Sequence, residues 1–380
     1  MRHTSLILAT VCAVFAASGC TKPAGTSSPP MKPPWTSLTT ETTSSGAGAV
    51  GTEVVVPGSA GTIAYSALEL KNPFFKIIAD GITAEGEAHG FSVIVNDAEC
   101  DVNEQSKHID NYIAQSVTAI IINPADRIAI GPAVKKANEA GIPVFTCDLQ
   151  CVSEGVKIAG HIGTDNLGGG RLAGEAMVEA LGDAGGEVLV LHFKQANSCV
   201  LRVRGFNEVV DAHNEGRESG KIEVVAELDG GGLQDEGFRT TADALQAHPN
   251  LRGIFAINDP SGLGAWTALN AVDKTDAITI VAFDGQIEGK QAILDGKIYA
   301  DPIQFPKKMA SATVHNIIKY LNGESYNEME LIPTALYKKA DAEKDPELER
   351  LRSPVEPPDA PAPAADDPAA VDAAPSEPSE

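Results

Sequence analysis

An α/β fold of two parallel sheets in tandem, helices covering both faces, follows from three observations on this chain. Between residues 61 and 338, short apolar runs of strand length alternate with segments whose apolar residues recur at helical spacing. Glycines such as Gly90 and Gly141 close the helical segments, where a residue of positive φ is needed. The alternation also runs through two successive series in 380 residues, a length sufficient for two domain-sized cores. Apolar strands separated by amphipathic helices belong to parallel sheets buried on both sides.

The first series opens with a strand over 62–68 and a helix over 74–89, for which Asn72 suits the N-cap and Pro73 the first turn. Strands over 91–95 and 118–123 follow, with helices over 103–115 and 128–140. Pro143–Thr146 and residues 156–162 supply two further strands. In the second series the strands fall at 187–192, 222–226, 253–257, 278–283 and 298–302, with a helix over 235–247.

Both ends have a different character. An apolar stretch from Leu6 to Ala17 follows Arg2 and His3 and is too short to span a bilayer, as in a secretory signal. It ends in Ala17-Ser18-Gly19-Cys20, which resembles a bacterial lipobox, although a leucine is usual where Ala17 stands. Residues 1–19 are therefore expected to be a signal peptide and Cys20 a lipidated first residue anchoring the chain to a membrane. The alternative is an ordinary signal cut nearby. Either way the chain is exported, to the periplasm or cell surface. Residues 20–60, rich in Thr, Ser, Pro and Gly, are predicted to form a flexible tether, and 340–380 a disordered acidic Pro/Ala tail. A formal charge of −23, much of it in that tail, argues against nucleic acid as a partner, since phosphate binding needs a basic face.

Ligands of open parallel sheets bind at the carboxyl ends of strands. Asn72, Phe74 and Phe75 stand after the first strand, Asp148 after the fourth, Asn258 and Asp284 after two strands of the second series, and Gln304 after its last. Amides and carboxylates bond neighbouring hydroxyls while aromatic faces cover C–H patches, so this set suits a sugar. Each is also a natural helix cap.

Asn72–Phe75, Ile122–Asp126, Gly141–Asp148, Gly163–Asn166, Phe255–Asp259 and Val281–Gly285 occur in order over about 61–338. Through them the core resembles the ribose-binding branch of the type I periplasmic substrate-binding proteins, which deliver sugars to ABC importers. The resemblance implies two Rossmann-like lobes, 61–164 plus 305–333 and 165–304 plus 334–339, joined by three crossover strands and closing on a ligand between them. It implies a sugar, polyol or amino sugar as ligand and an ABC permease as partner. Presentation of the closed form to a sensor kinase or chemoreceptor is the alternative.

The chain departs from ribose binders at several of the positions that the resemblance assigns to ligand. Leu149 and Val200 stand where two arginines are usual, Leu68 replaces a serine, and Gly230–Gly232 fall where an aromatic is expected. Asp148 and Asp284 would then be enclosed without cations, which is costly unless Lys71, Lys194, Arg202 or a cationic ligand supplies charge. Ribose is accordingly not expected to be the ligand. After export Cys100, Cys147, Cys151 and Cys199 remain, an even count favouring disulfides of undetermined pairing. His192, at a strand end, either touches ligand or packs. No catalytic or metal-binding motif appears, so no enzyme activity, cofactor or metal is expected. Gly168–Gly170 opens a helix but lacks the Lys-Ser/Thr of a phosphate loop.

Overall fold

The structure is a computed structural model that describes residues 59–352. The signal peptide, Cys20, nearly all of the tether and the chain beyond Arg352 lie outside the described residues. The elements are β1 (Gly61–Ala67), α1 (Pro73–Ala88), β2 (Phe91–Asp97), α2 (Val102–Ala114), β3 (Ala119–Ile122), α3 (Gly131–Glu139), β4 (Val144–Cys147) and β5 (Gly160–Thr164). There follow α4 (Asn166–Leu181), β6 (Gly186–His192), α5 (Asn197–Asn214), β7 (Ile222–Asp229), α6 (Gln234–Ala247), β8 (Leu251–Ala256), α7 (Asp259–Asn270), β9 (Thr279–Val281), α8 (Ile287–Leu294) and β10 (Ala300–Ile303). The described residues close with α9 (Pro306–Asn322), β11 (Met329–Ile332), β12 (Ala335–Lys338), α10 (Lys339–Ala342) and α11 (Pro346–Arg352).

Two six-stranded sheets result, in the orders β11-β5-β4-β3-β1-β2 and β12-β10-β9-β8-β6-β7. Every pairing is parallel except β12 on β10. The chain leaves the first sheet after Thr164, returns after Ile303 and leaves again after Ile332. These crossings are bonded to one another: Asp165 N–H donates to Ile332 O at 2.9 Å, and Thr164 Oγ1 donates to Gln304 Oε1 at 2.6 Å. The predicted α/β architecture of two lobes is the observed one.

Local chemistry accounts for the element ends. Asn72 Oδ1 accepts from Phe74 N–H at 3.0 Å and Pro73 needs no partner, so α1 starts where predicted. Gly90 and Gly141 follow α1 and α3 with φ of 82° and 77°. The glycines that open α4 serve packing. A Cβ on Gly170 would lie 2.1 Å from Arg202 O, and one on Gly205 would lie 2.2 Å from Leu167 O. α4 and α5 therefore meet backbone to backbone, which fixes Arg202 relative to the second sheet.

Two expectations are corrected. The strand expected over 156–162 begins only at Gly160; Val156 and Ile158 pack as loop residues against the core around Ile120 and Ile130. The tail is not disordered from residue 340. α10 and α11 bury Ala342 and Leu348 completely in the second core, and Lys290 Nζ reaches Asp345 and Glu347 carboxylates, each at 3.1 Å. Asp345 Oδ1 also accepts from Glu347 N–H at 2.8 Å, and Oδ2 accepts from Tyr337 Oη at 2.9 Å. An acidic run that composition marks as solvated is here a helix cap and an ion-pair partner.

Candidate functional site

The carboxyl ends of both sheets face one partly open cavity of about 60 Å³, room for about four waters. From the first sheet come Asn72, Phe74, Phe75, Asp148 and Leu149, and from the second come Arg202, Asn258, Asp284 and Gln304. Phe74 and Phe75 meet edge to face at 5.5 Å and form an apolar corner. Asn258 Oδ1 accepts from Ser261 N–H at 3.1 Å as the cap of α7, while its Nδ2 donates to Gly232 O at 2.8 Å. Nine of the ten ligand residues expected from sequence line this cavity.

Val200 does not. On α5 it lies two residues, about 200° of helix, from Arg202 and so faces away from the cleft. Ser198 and Cys199, about a turn before Arg202, occupy the cleft face instead. Also lining the cavity, and missed from sequence, are Glu69, Cys100, Phe193, Ala196 and Ile257. Phe193 had a signal, since it directly follows a strand. His192 is absent from the lining; its Nδ1 accepts from Phe193 N–H at 2.7 Å.

The expectation of two carboxylates without cations holds for only one of them. Arg202 Nη1 lies 2.9 Å from Asp284 Oδ1 and also donates to Ile257 O at 2.6 Å, while Nε donates to Asn166 Oδ1 at 2.8 Å. Its guanidinium lies 3.8 Å from the centre of the Phe283 ring, which fixes the plane of the fork. Asp284 further accepts from Gln304 Nε2 at 2.5 Å and Gln286 Nε2 at 3.3 Å. A network thus runs from the crossing at Thr164 through Gln304 and Asp284 to Arg202. Lys71 and Lys194 do not line the cavity.

Asp148 is the contrasting case. Its side chain is 3% exposed, and its Oδ1 is buried without a hydrogen-bond partner. Burial pushes its carboxyl up to about 7, the Arg202 charge opposing that and the Asp284 charge adding to it. Asp148 has a φ of 61° and Asp284 a φ of 118°, backbone conformations that non-glycine residues rarely adopt. Both cavity-facing carboxylates are therefore held at strained positions by the strands beneath them.

At the rim the two lobes are clasped directly. Arg127 N–H donates to Gln195 O at 3.0 Å and its Nε donates to Lys194 O at 3.1 Å. Asn197 Nδ2 donates to Gln150 Oε1 at 2.5 Å.

The four described cysteines are free thiols, contrary to the expected disulfides. Cys147 lies within the first core, and burial pushes the Cys199 and Cys100 thiols up to about 11, so both stay protonated at neutral pH. A protonated thiol is a poor nucleophile and a poor metal ligand. Among the described residues, Glu85, His89 and His315 bring potential metal-donor atoms within 4.8 Å, at the surface of α1 and α9 and outside the cleft. No helix among the described residues is long and apolar enough to cross a membrane.

A family model described as a periplasmic binding protein domain matches residues 63–325. The chain is 33% identical over 264 residues to the ribose import binding protein of Escherichia coli, covering 69% of this chain and 86% of that protein. It is 34% identical over 275 residues to the D-apiose import binding protein of Paraburkholderia graminis, covering 72% and 86%. Among solved structures, an ABC transporter solute-binding protein from Mycobacterium smegmatis with bound glycerol superposes with a TM-score of 0.69 at 29% identity, covering 75% of this chain and 96% of that one.

Proposed function

The chain belongs to the periplasmic binding protein domain family, and from that premise we propose that it is the sugar- or polyol-capturing subunit of an ABC importer, exported and lipid-anchored through Cys20. One observation carries the assignment of ligand chemistry. Asp148 and Asp284 face a single cavity from opposite sheets, and Asp148 offers a sealed acceptor with nothing to accept from. A ligand hydroxyl or ammonium supplies that missing donor, and a molecule bonded to both carboxylates ties the two lobes together. In this reading the ligand closes the hinge, and the two acids on opposite walls support it, because a ligand bonded to both favours the approach of the lobes.

The walls also constrain the ligand. Leu68, Leu149, Cys199 and Leu233 present apolar surface, while the Arg202 charge is already matched by Asp284. Hydroxyls pointed at the apolar side would lose water without gaining a partner. The ligand is therefore a small neutral or cationic polyol-like molecule with one apolar edge, hydroxylated on the Asn72–Asp148–Asn258 side. A thermal-shift screen of pentoses, deoxy sugars, polyols and amino sugars tests this, because a ligand of the native state raises the melting temperature. A response confined to amino acids or peptides, with none to any sugar or polyol, would overturn it.

A further inference from the structure

Beneath the turn that carries Asp284 lie two carboxyl side chains that touch neither the cavity nor any cation. Asp259, the first residue of α7, and Asp301, in β10, are 1% and 0% exposed. Each commits one oxygen to a backbone N–H of the turn. Asp301 Oδ2 accepts from Gly285 N–H at 2.9 Å, and Asp259 Oδ2 accepts from Gln286 N–H at 2.7 Å. The other oxygen of each, Oδ1, is buried with no partner. The two carboxyls hold consecutive amides of one turn and each acts on the ionisation of the other, so two acceptors meet there.

Two carboxylates sharing a closed site cannot both ionise cheaply. A single proton, taken from solvent on folding, turns the facing pair into one O–H···O bond and leaves both outer oxygens free to hold the turn. Other surroundings favour the same state. Gly289 of α8 closes over Asp259 so tightly that a Cβ there would lie 2.2 Å from its Oδ1, which excludes water from that side. The charged groups that face the pair are Asp284, on the turn, and Arg202, on α5. Asp284 opposes ionisation, and Arg202 is committed to Asp284. Burial first, and then mutual repulsion, raise the Asp259 carboxyl above the ordinary range; burial and the Asp284 charge raise Asp301.

We infer that Asp259 and Asp301 share one proton in the folded protein and act as positioning residues, clamping the Gly285 and Gln286 amides so that Asp284 points into the cleft. The role assigned to Asp284 rests on the proposed function; the shared proton does not, and it is tested without ligand. Asparagine mimics a protonated aspartate, so Asp259→Asn and Asp301→Asn each replace the shared proton with an amide N–H and preserve the clamp. In the double variant two amide groups face each other as donors. Melting temperature is to be followed from pH 4 to 9 for the wild type, both single variants and the double.

A group whose carboxyl is raised on folding stabilises most fully below its unfolded value, and that stability is lost as pH rises through the folded value. The wild-type melting temperature is therefore expected to fall with rising pH. Both single variants should fall less steeply, and the double should melt roughly 3–6 °C below either single. Amide exchange adds a local readout: Asp301→Ala should lose protection at Gly285, and Asp301→Asn should keep it. If a variant fails to fold, infrared spectra of Asp148→Asn protein at pH 7 decide the matter, since a protonated-carboxyl band from the pair should remain there. Single variants with the wild-type pH slope, a double as stable as the singles, or absence of that band would each overturn the inference.

Discussion

Arg202 and Asp284 form an ion pair at 2.9 Å in which both side chains are almost fully closed to solvent. Removing one member of such a pair leaves the other charged and dry, which typically costs about 3–5 kcal/mol. Arg202→Leu is expected to destabilise the protein by about that amount in urea unfolding. Asp284→Asn, which keeps the hydrogen bonds from Gln304 and Gln286 in reach, should cost less. Equal, small losses for both would mean the pair contributes little.

Asp148 should tie stability to pH. Its carboxyl is pushed up to about 7 from an unfolded value near about 4. The stabilising contribution is then complete below about pH 4 and fades as pH rises to about 7. Asp148→Asn should flatten the melting-temperature profile over that interval. With a sugar or polyol identified by thermal shift, Asp148→Ala should weaken binding by about 1.5–3 kcal/mol, read by calorimetry.

D-ribose itself should bind poorly, at about millimolar Kd or weaker, because Leu149 offers it no donor and the cleft face of α5 offers only Ser198, a weak thiol and an Arg202 already paired with Asp284. Leu149→Arg would place a guanidinium beside the unpartnered Asp148 oxygen. Calorimetry should then show ribose affinity rising relative to the parent protein. Tight ribose binding by the parent would contradict the apolar-wall argument.

The rim clasp should favour the closed arrangement. Asn197→Ala removes the bond to Gln150, worth about 1 kcal/mol, and should raise the Kd of any cleft ligand about fivefold. Small-angle scattering of the ligand-free protein should report a less compact core for Asn197→Ala combined with Arg127→Ala. An unchanged Kd would show that closure owes nothing to these contacts.

If the proposed anchor is correct, Cys20→Ser should move the protein from the membrane fraction to the soluble periplasmic fraction, because the proposed attachment depends on acyl chains at that residue. Cell fractionation followed by immunoblotting reads the result. A parent protein found entirely soluble would indicate an ordinary cleaved signal.

The fold and most of the cleft were legible because both depend on local chemistry. Parallel strands write themselves as apolar runs, and Asn72, Asp148, Asn258 and Asp284 stand next to the strand ends that position them. Val200 misled because counting back from Arg202 ignores helical phase, which the observed start of α5 at Asn197 sets. Arg202 could be named but not placed, since its reach to Asp284 depends on the glycine contact between α4 and α5. Glu69 and Cys100 carry no motif; they reach the cavity only through the loops that follow β1 and β2. The end of the chain misled in the opposite sense. Its composition is that of a solvated tail, yet Leu348 alone supplies enough apolar side chain to seat α11 on the second core.

The positive φ of Asp148 and Asp284 has a bearing on how such a pocket can change its diet. Aspartate and asparagine tolerate that backbone better than most residues, whereas β-branched side chains do not. Most substitutions at these two positions cost stability, β-branched ones most, so they make poor starting points for accepting a new ligand. Leu149 and Cys199 carry no such restriction and line the same cavity. A change of ligand by single substitution is then channelled through these neighbours, while the two acids hold the frame of the cavity.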